Sequence, residues 1–301
     1  NAAGAIHVLD NGRTVRARLS GPRLDVSGRF AHQSGATRPA TAAVADASGP
    51  AWVVDAKFNA LALARGRLAT NLRLHAEGAG DMMRAARLSA RTGAGKPVEV
   101  SISPDRGGRV LRASAADGGT LLRDLGATDS IQGGRLSVSA RYLDQRSGHP
   151  LSGVAEMDDF TVHGAPVLAK VLQAVTLYGL VQAVEGPGMS FNHLAAPFVY
   201  GDGVLELDDA RAFNASLGLT AKGRVDFDRE RMDVEGTIVP AYYVNTALGH
   251  IPLIGRLFSP EKGGGVFAAR YSAQGSLDDP AVRVNPLSAL TPGFLRGLFG
   301  R

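Results

Sequence analysis

Seven histidines, at positions 7, 32, 75, 149, 163, 193 and 250, are the side chains best suited to metal or proton chemistry, and their spacing supports neither. No two stand four apart on a helical face and no glutamate lies between a pair, so the arrangement of a metallohydrolase is missing. Three acidic pairs, Asp158-Asp159, Asp208-Asp209 and Asp278-Asp279, could hold calcium or act as acid and base. Each adjoins a strand pattern, and Asp279 precedes Pro280, so turn formation is the expected role. Gly93-Ala-Gly-Lys96 has the sound of a phosphate loop, but Ala90 stands where the first glycine belongs and Pro97 replaces the hydroxyl residue. The chain has no cysteine and no Gly-x-Ser-x-Gly nucleophile turn. No catalytic constellation, metal or cofactor is expected, and the protein reads as a non-enzyme.

What does recur with regular spacing is aliphatic. Val98, Val100 and Ile102 alternate with Glu99, Ser101 and Ser103; Leu136, Val138 and Ala140 alternate with Ser137, Ser139 and Arg141. Leu205 and Leu207, then Leu217, Leu219 and Ala221, repeat the pattern. Alternation of this kind places one greasy and one wet face on an antiparallel sheet. A phrase Gly-Arg-apolar opens at Gly28, Gly66, Gly108, Gly134 and Gly223. Glycine suits a turn or bulge, arginine faces water, and the apolar residue starts the inward row. The spacings between phrases are irregular, so no fixed-period repeat is expected.

Helical signals are few. Residues 120–125 predict a short helix with Thr120 as its cap and Gly126 as its stop. Residues 166–184 predict the longest helix, with Pro166 in its first turn. The stretch 165–184 is long enough to span a bilayer, but Pro166, Lys170, Gln173, Gly179 and Gln182 interrupt it, so a buried or interfacial helix is expected. Residues 242–258 predict two apolar helical pieces split at Pro252, and Thr291-Pro292 starts a last one. Residues 33–50 read as a long loop, and 144–150 as a turn between two halves of one continuous sheet.

Composition agrees with many short strands. Thirty-eight glycines stand beside 6% aromatic residues, and 45% of the chain is hydrophobic against 20% charged. The net charge of +5 comes with five lysines and twenty-eight arginines, most of them alternating with apolar residues on the wet faces of strands. Basic clusters interleaved with stacking aromatics are missing, so nucleic acid is not an expected partner.

The rows alone fit the shared core of a sandwich, with Leu205, Leu207, Leu217, Leu219, Val225, Phe227, Val234 and Ile238 burying one another. A resemblance changes that expectation. Leu205-Glu-Leu-Asp-Asp209, Gly223-Arg-Val-Asp-Phe227, Gly236 to Pro240, Ile251-Pro-Leu-Ile-Gly255, Gly263-Gly-Gly-Val-Phe267, Leu277-Asp-Asp-Pro280 and Asn285-Pro-Leu287 occur in the order found in the C-terminal region of the AsmA-like family of Gram-negative envelope proteins. The resemblance covers residues 151–301, with 1–150 similar in style only. It implies an elongated antiparallel sheet curved into a trough with a few short apolar helices, carrying phospholipid or another acyl lipid between the inner and outer membranes without chemistry.

On that resemblance, residues 1–150 form a trough segment and 151–301 the family region. Leu136, Val138, Leu205, Leu207, Leu217, Leu219, Val225, Phe227, Val234, Ile238 and Phe267 line the lipid path. Tyr242, Leu248, Ile251, Leu253, Ile254, Leu257, Phe258, Phe294, Leu295, Leu298 and Phe299 meet a membrane, at its outer-membrane end, or an envelope protein. The expected location is the periplasm, with an inner-membrane anchor upstream of Asn1. The alternative is an envelope assembly factor that pairs a sheet edge with an outer-membrane client strand and carries no lipid.

Overall fold

A computed structural model describes residues 2–10, 14–30, 49–106, 108–146, 148–174, 186–240 and 269–285. The alternating rows become one curved, unclosed sheet. Its strands are β1 (Ala2–Asp10), β2 (Thr14–Asp25), β3 (Ala51–Ala62), β4 (Leu68–Ala79), β5 (Met82–Arg91), β6 (Pro97–Asp105), β7 (Gly108–Ala115) and β8 (Ile131–Tyr142). They continue through β9 (Leu151–Val162), β10 (Met189–Gly201), β11 (Val204–Phe213), β12 (Leu217–Asp226), β13 (Arg231–Pro240), β14 (Ala269–Ser276) and β15 (Ala281–Asn285). Their spatial order is their chain order across all 15 strands. Every pairing is antiparallel except β2 with β3, which run parallel. The sheet passes from β8 to β9 in unbroken register, so residues 143–150 are a turn within it.

Because every pairing but β2–β3 is antiparallel, the connections between those strands fall on two rims, and the rims differ. One carries the tight turns at 80–81, 202–203 and 227–230 and the longer turn 143–150. The other carries three short helices: α1 (Ser27–Phe30), α2 (Gly118–Asp124) and α3 (Pro166–Ala174). We call them the turn rim and the helix rim.

α2 starts earlier than its sequence suggests. Asp117 is the cap, its carboxylate accepting from the Thr120 amide at 2.9 Å and the Thr120 hydroxyl at 2.8 Å. Asp accepts from the first-turn amides more readily than Thr at this position. Gly126 ends the helix as expected, at φ 76°, with its amide donating to the Arg123 carbonyl. α3 begins at Pro166 as predicted; the remainder of the predicted segment, 175–184, lies outside the described residues. So do the predicted helical pieces of 242–258, the predicted helix starting at Thr291-Pro292 and nearly all of 33–50.

The Gly-Arg-apolar phrase has three structural outcomes. Gly66 and Gly108 precede or begin strands β4 and β7, Gly134 and Gly223 sit inside β8 and β12, and Gly28 lies in α1. Gly223 is required where it stands: at φ 136° a side chain there would also meet the Asp233 carbonyl at 2.1 Å. The apolar member does not always turn inward. Val110 pairs with Arg141 and Ser103 on the polar face.

The acidic pairs also depart from expectation. Asp159 and Asp209 have φ 54° inside β9 and β11, and the β11–β12 register shifts between Leu207 and Ala210. Neither lies in a turn: Asp209 marks a bulge, whereas β9 keeps its register with β8 and β10 through Asp159, and at both a short polar residue tolerates the left-handed conformation. The result is apolar spacing of three in place of two: Met157 and Phe160, like Leu207 and Ala210, share one face. Only Asp278-Asp279 lies in a turn.

Candidate functional site

Strand pairing extends the alternation across the whole sheet. Starting at Val8 on β1, register partners run through Ala17, Val54, Ala76, Ala86, Ile102, Leu111 and Ala140 to Gly153 on β9. The same line continues through Phe198, Leu207, Gly223, Val234 and Ala273 to Val282 on β15. No polar side chain interrupts it. A parallel line runs from Ala90 through Val98, Ala115, Leu136, Met157, Leu194, Ala212, Leu219 and Ile238 to Ala269. Fourteen inter-strand steps of about 4.8 Å give the first line a contour of about 67 Å.

The opposite face is charged. A typical line there reads Arg18, Asp55, His75, Arg87, Ser101, Arg112 and Ser139. Its ion pairs are exposed and local: His75 Nδ1 to Asp55 at 2.7 Å, Arg141 to Asp105 at 2.5 Å, Lys222 to Glu235 at 2.9 Å. Exposed pairs of this kind add little stability. They fix which face meets water.

The apolar face divides into two parts. Over β8–β15 its helix-rim end is covered. Val171 and Leu172 of α3 pack onto Met157, Phe160, Met189, Phe191, Leu217, Ile238 and Ala269. Leu172 and Ile238 are 0% exposed and the rings of Phe160 and Phe191 stack at 5.5 Å. Lys170 ties the helix to the far edge, its Nζ donating to Asp279 at 2.7 Å and to the Pro280 carbonyl at 3.2 Å. That hydrogen bond and the ammonium charge hold the Asp279 carboxyl below its usual range.

Over β2–β7 no described element lies on the apolar face. Phe58 is nonetheless 2% exposed, sheltered by Ala56, Leu72, Leu19, Leu24 and Leu61, all from the strands or their ends. The sheet is curved, and these strand side chains shelter one another. The outcome is a groove with an aliphatic floor. A separate cavity of about 830 Å³ spans β4–β8 and is lined mainly by the polar face: ten of its fifteen residues, Arg73, His75, Arg87 and Arg112 among them, belong there, against one apolar residue of each strand.

The sequence-predicted lining residues therefore fall into classes. Leu136, Val138, Leu205, Leu207, Leu217, Leu219, Val225, Val234 and Ile238 all project from the apolar face. Leu136, Leu217, Leu219 and Ile238 are packed in the cluster under α3. Val138, Leu205, Leu207 and Val225 are half-buried outside it, and Val234 is buried. Phe227 lies past the end of β12, in the turn whose amide donates to the Gly203 carbonyl. Phe267, with Tyr242, Leu248, Ile251, Leu253, Ile254, Leu257, Phe258, Phe294, Leu295, Leu298 and Phe299, lies outside the described residues.

Sequence reasoning missed the uncovered floor in the first half, where Val54, Leu74, Leu88 and Leu111 stand. The signal was present as alternation but carried no family phrase. No group of three or more His, Asp or Glu side chains among the described residues could hold a metal ion, and no helix of them is long and apolar enough to cross a membrane. Compared with family models, with curated proteins and with solved structures, the chain matches none.

Proposed function

We propose that the apolar face is a conduit for acyl chains, and that the protein transfers phospholipid or a related lipid across the periplasm without making or breaking bonds. The observation that carries this is the unbroken line of apolar or glycine residues through all fifteen strands. A folded domain that needed only a core would bury this face against a second layer; α3 covers the helix-rim end of the second half, and no described element covers the first. Each methylene moved from water onto such a surface gains about 0.8 kcal/mol, so a groove can hold a chain that has left a bilayer. Aliphatic walls suit the task, because they offer area without specific directional contacts. The resemblance of residues 151–301 to AsmA-like proteins points to the same activity and to the same envelope location.

The uncovered segment, β2–β8, is the part we assign to lipid. Leu136, Leu217, Leu219 and Ile238 then serve to seat α3, and the groove is closed by that helix toward β15. The unclosed sheet also favours a second reading: β1 pairs only with β2 among the described strands, and its free edge could take a client strand of an envelope protein.

Mass spectrometry of the lipids co-purifying with the protein separates the two. The conduit predicts near-stoichiometric acyl lipid, displaced by a detergent of similar chain length. A lipid-free protein that instead retains an extended peptide along β1 would replace the first reading with the second.

A further inference from the structure

We infer that the helix rim beside the uncovered groove is a site for anionic phosphate headgroups, so that the lipid carried is an anionic phospholipid. The inference rests on the groove reading above and names its substrate class. Three chain segments converge on this rim. Gly93 of the β5–β6 turn donates its amide to Asp124 of α2 at 2.9 Å, and an Arg67 guanidinium, just before β4, donates to the Arg123 carbonyl at the end of α2. They bring Arg65, Arg67, Arg91, Lys96 and Arg123 together.

The carboxylates of this region are engaged with it. Asp117 caps α2, buried Asp124 accepts from Gly93, and Asp129 lies 3.1 Å from Arg65 and 2.7 Å from Arg67. Arg91, Lys96 and Arg123 form no ion pair among the described residues; Arg91 donates only to the Gly95 carbonyl, at 2.8 Å. Positive charge is thus in excess here. The turn rim is the reverse, its described connections carrying Asp81, Asp144, Asp202, Asp228, Glu230, Asp278 and Asp279 against Arg106, Arg146 and Arg229.

Two further features point to an amphiphile and not to a free anion. α2 stands on the apolar side of the rim, since a side chain at Gly118 would meet Leu136 Cβ and Met157 Cε, each at 2.7 Å. Among these cations Leu68 is 41% exposed, one of few large apolar residues left in water. A headgroup held by guanidiniums with its chains passing Leu68 onto the groove floor satisfies both, and arginine is the side chain suited to phosphate.

The test uses two triple variants with the same change of charge. One, Arg65→Gln with Lys96→Gln and Arg123→Gln, strips the rim. The other, Arg18→Gln with Arg224→Gln and Arg283→Gln, strips exposed arginines of the polar face away from the cavity. Each protein and the wild type are equilibrated with vesicles of equal phosphatidylglycerol and phosphatidylcholine, repurified, and their bound lipid read by native mass spectrometry. The wild type and the polar-face variant should hold phosphatidylglycerol at several-fold enrichment. The rim variant should hold as much lipid in total, with enrichment reduced at least threefold.

Lipid bound without headgroup preference, or with a preference that the rim variant keeps, overturns this inference and leaves the groove. No lipid in any of the three overturns the groove and the inference together. Titration with inorganic phosphate alone should give no saturable heat; saturable binding abolished in the rim variant would make this a free-anion site and overturn the lipid assignment.

Discussion

At the scale of single residues, the same chemistry does two jobs in two places. Leu172 is enclosed by β8–β15 side chains, whereas Leu88 is half-buried on the groove floor. Leu172→Ala should cost about 2–5 kcal/mol, the range for an enclosed leucine, and Leu88→Ala distinctly less, because the site opens to water. Urea denaturation of both variants checks the contrast, and equal losses would place Leu88 in a closed core. A second residue-scale prediction concerns Asp144 at the turn rim. Burial pushes its carboxyl upward, but the Arg109 guanidinium, 2.5 Å away and 4.1 Å over the Tyr142 ring, outweighs it and holds the group below the usual carboxylate range. A depressed folded value means the contribution is fully present above the unfolded value of about 4 and is lost as pH falls through the folded one. Asp144→Asn should therefore lower stability at pH 7 by about 1–3 kcal/mol and flatten the wild type's decline on acidification. Melts at pH 7, 4 and 3 measure both; unchanged acid sensitivity would remove Asp144 from the account.

At the scale of elements, what could be read from sequence was period-two alternation, and what could not was where that period breaks. Val98, Val100 and Ile102, or Leu217 and Leu219, declare a strand and its inward face by themselves. The bulge at Asp209 and the left-handed backbone at Asp159 do not, since an Asp pair reads equally as a turn, and the local sequence contains no record of the register that the neighbouring strand imposes. The role of α3 was hidden for a similar reason. Its apolar character is plain, but whether such a helix seeks a membrane or the hollow of its own sheet depends on curvature built by strands far away in the chain. The left-handed backbone at Asp159 can be tested directly. Asp159→Gly should be tolerated within about 0.5 kcal/mol, while Asp159→Val should cost about 1–2 kcal/mol, because a β-branched residue resists positive φ. Similar stability for both would mean that β9 runs straight through this position.

At the scale of the molecule, a single sheet in which each strand touches its sequence neighbours acquires a long apolar surface without a second layer to hide it. The register, maintained by bulges, keeps that surface continuous; curvature and α3 shelter it. The central claim is that the uncovered half holds acyl chains. Leu88→Asp and Val100→Asp put a carboxylate on its floor, where an empty groove can hydrate it but a neighbouring acyl chain cannot. The decisive measurement pairs the thermal melt of each variant with its bound-lipid content. The account predicts melting within a few degrees of wild type and bound lipid reduced several-fold. A folded variant with its full lipid load contradicts the conduit, and a variant that unfolds, as a charge in a closed core would force, contradicts the open groove.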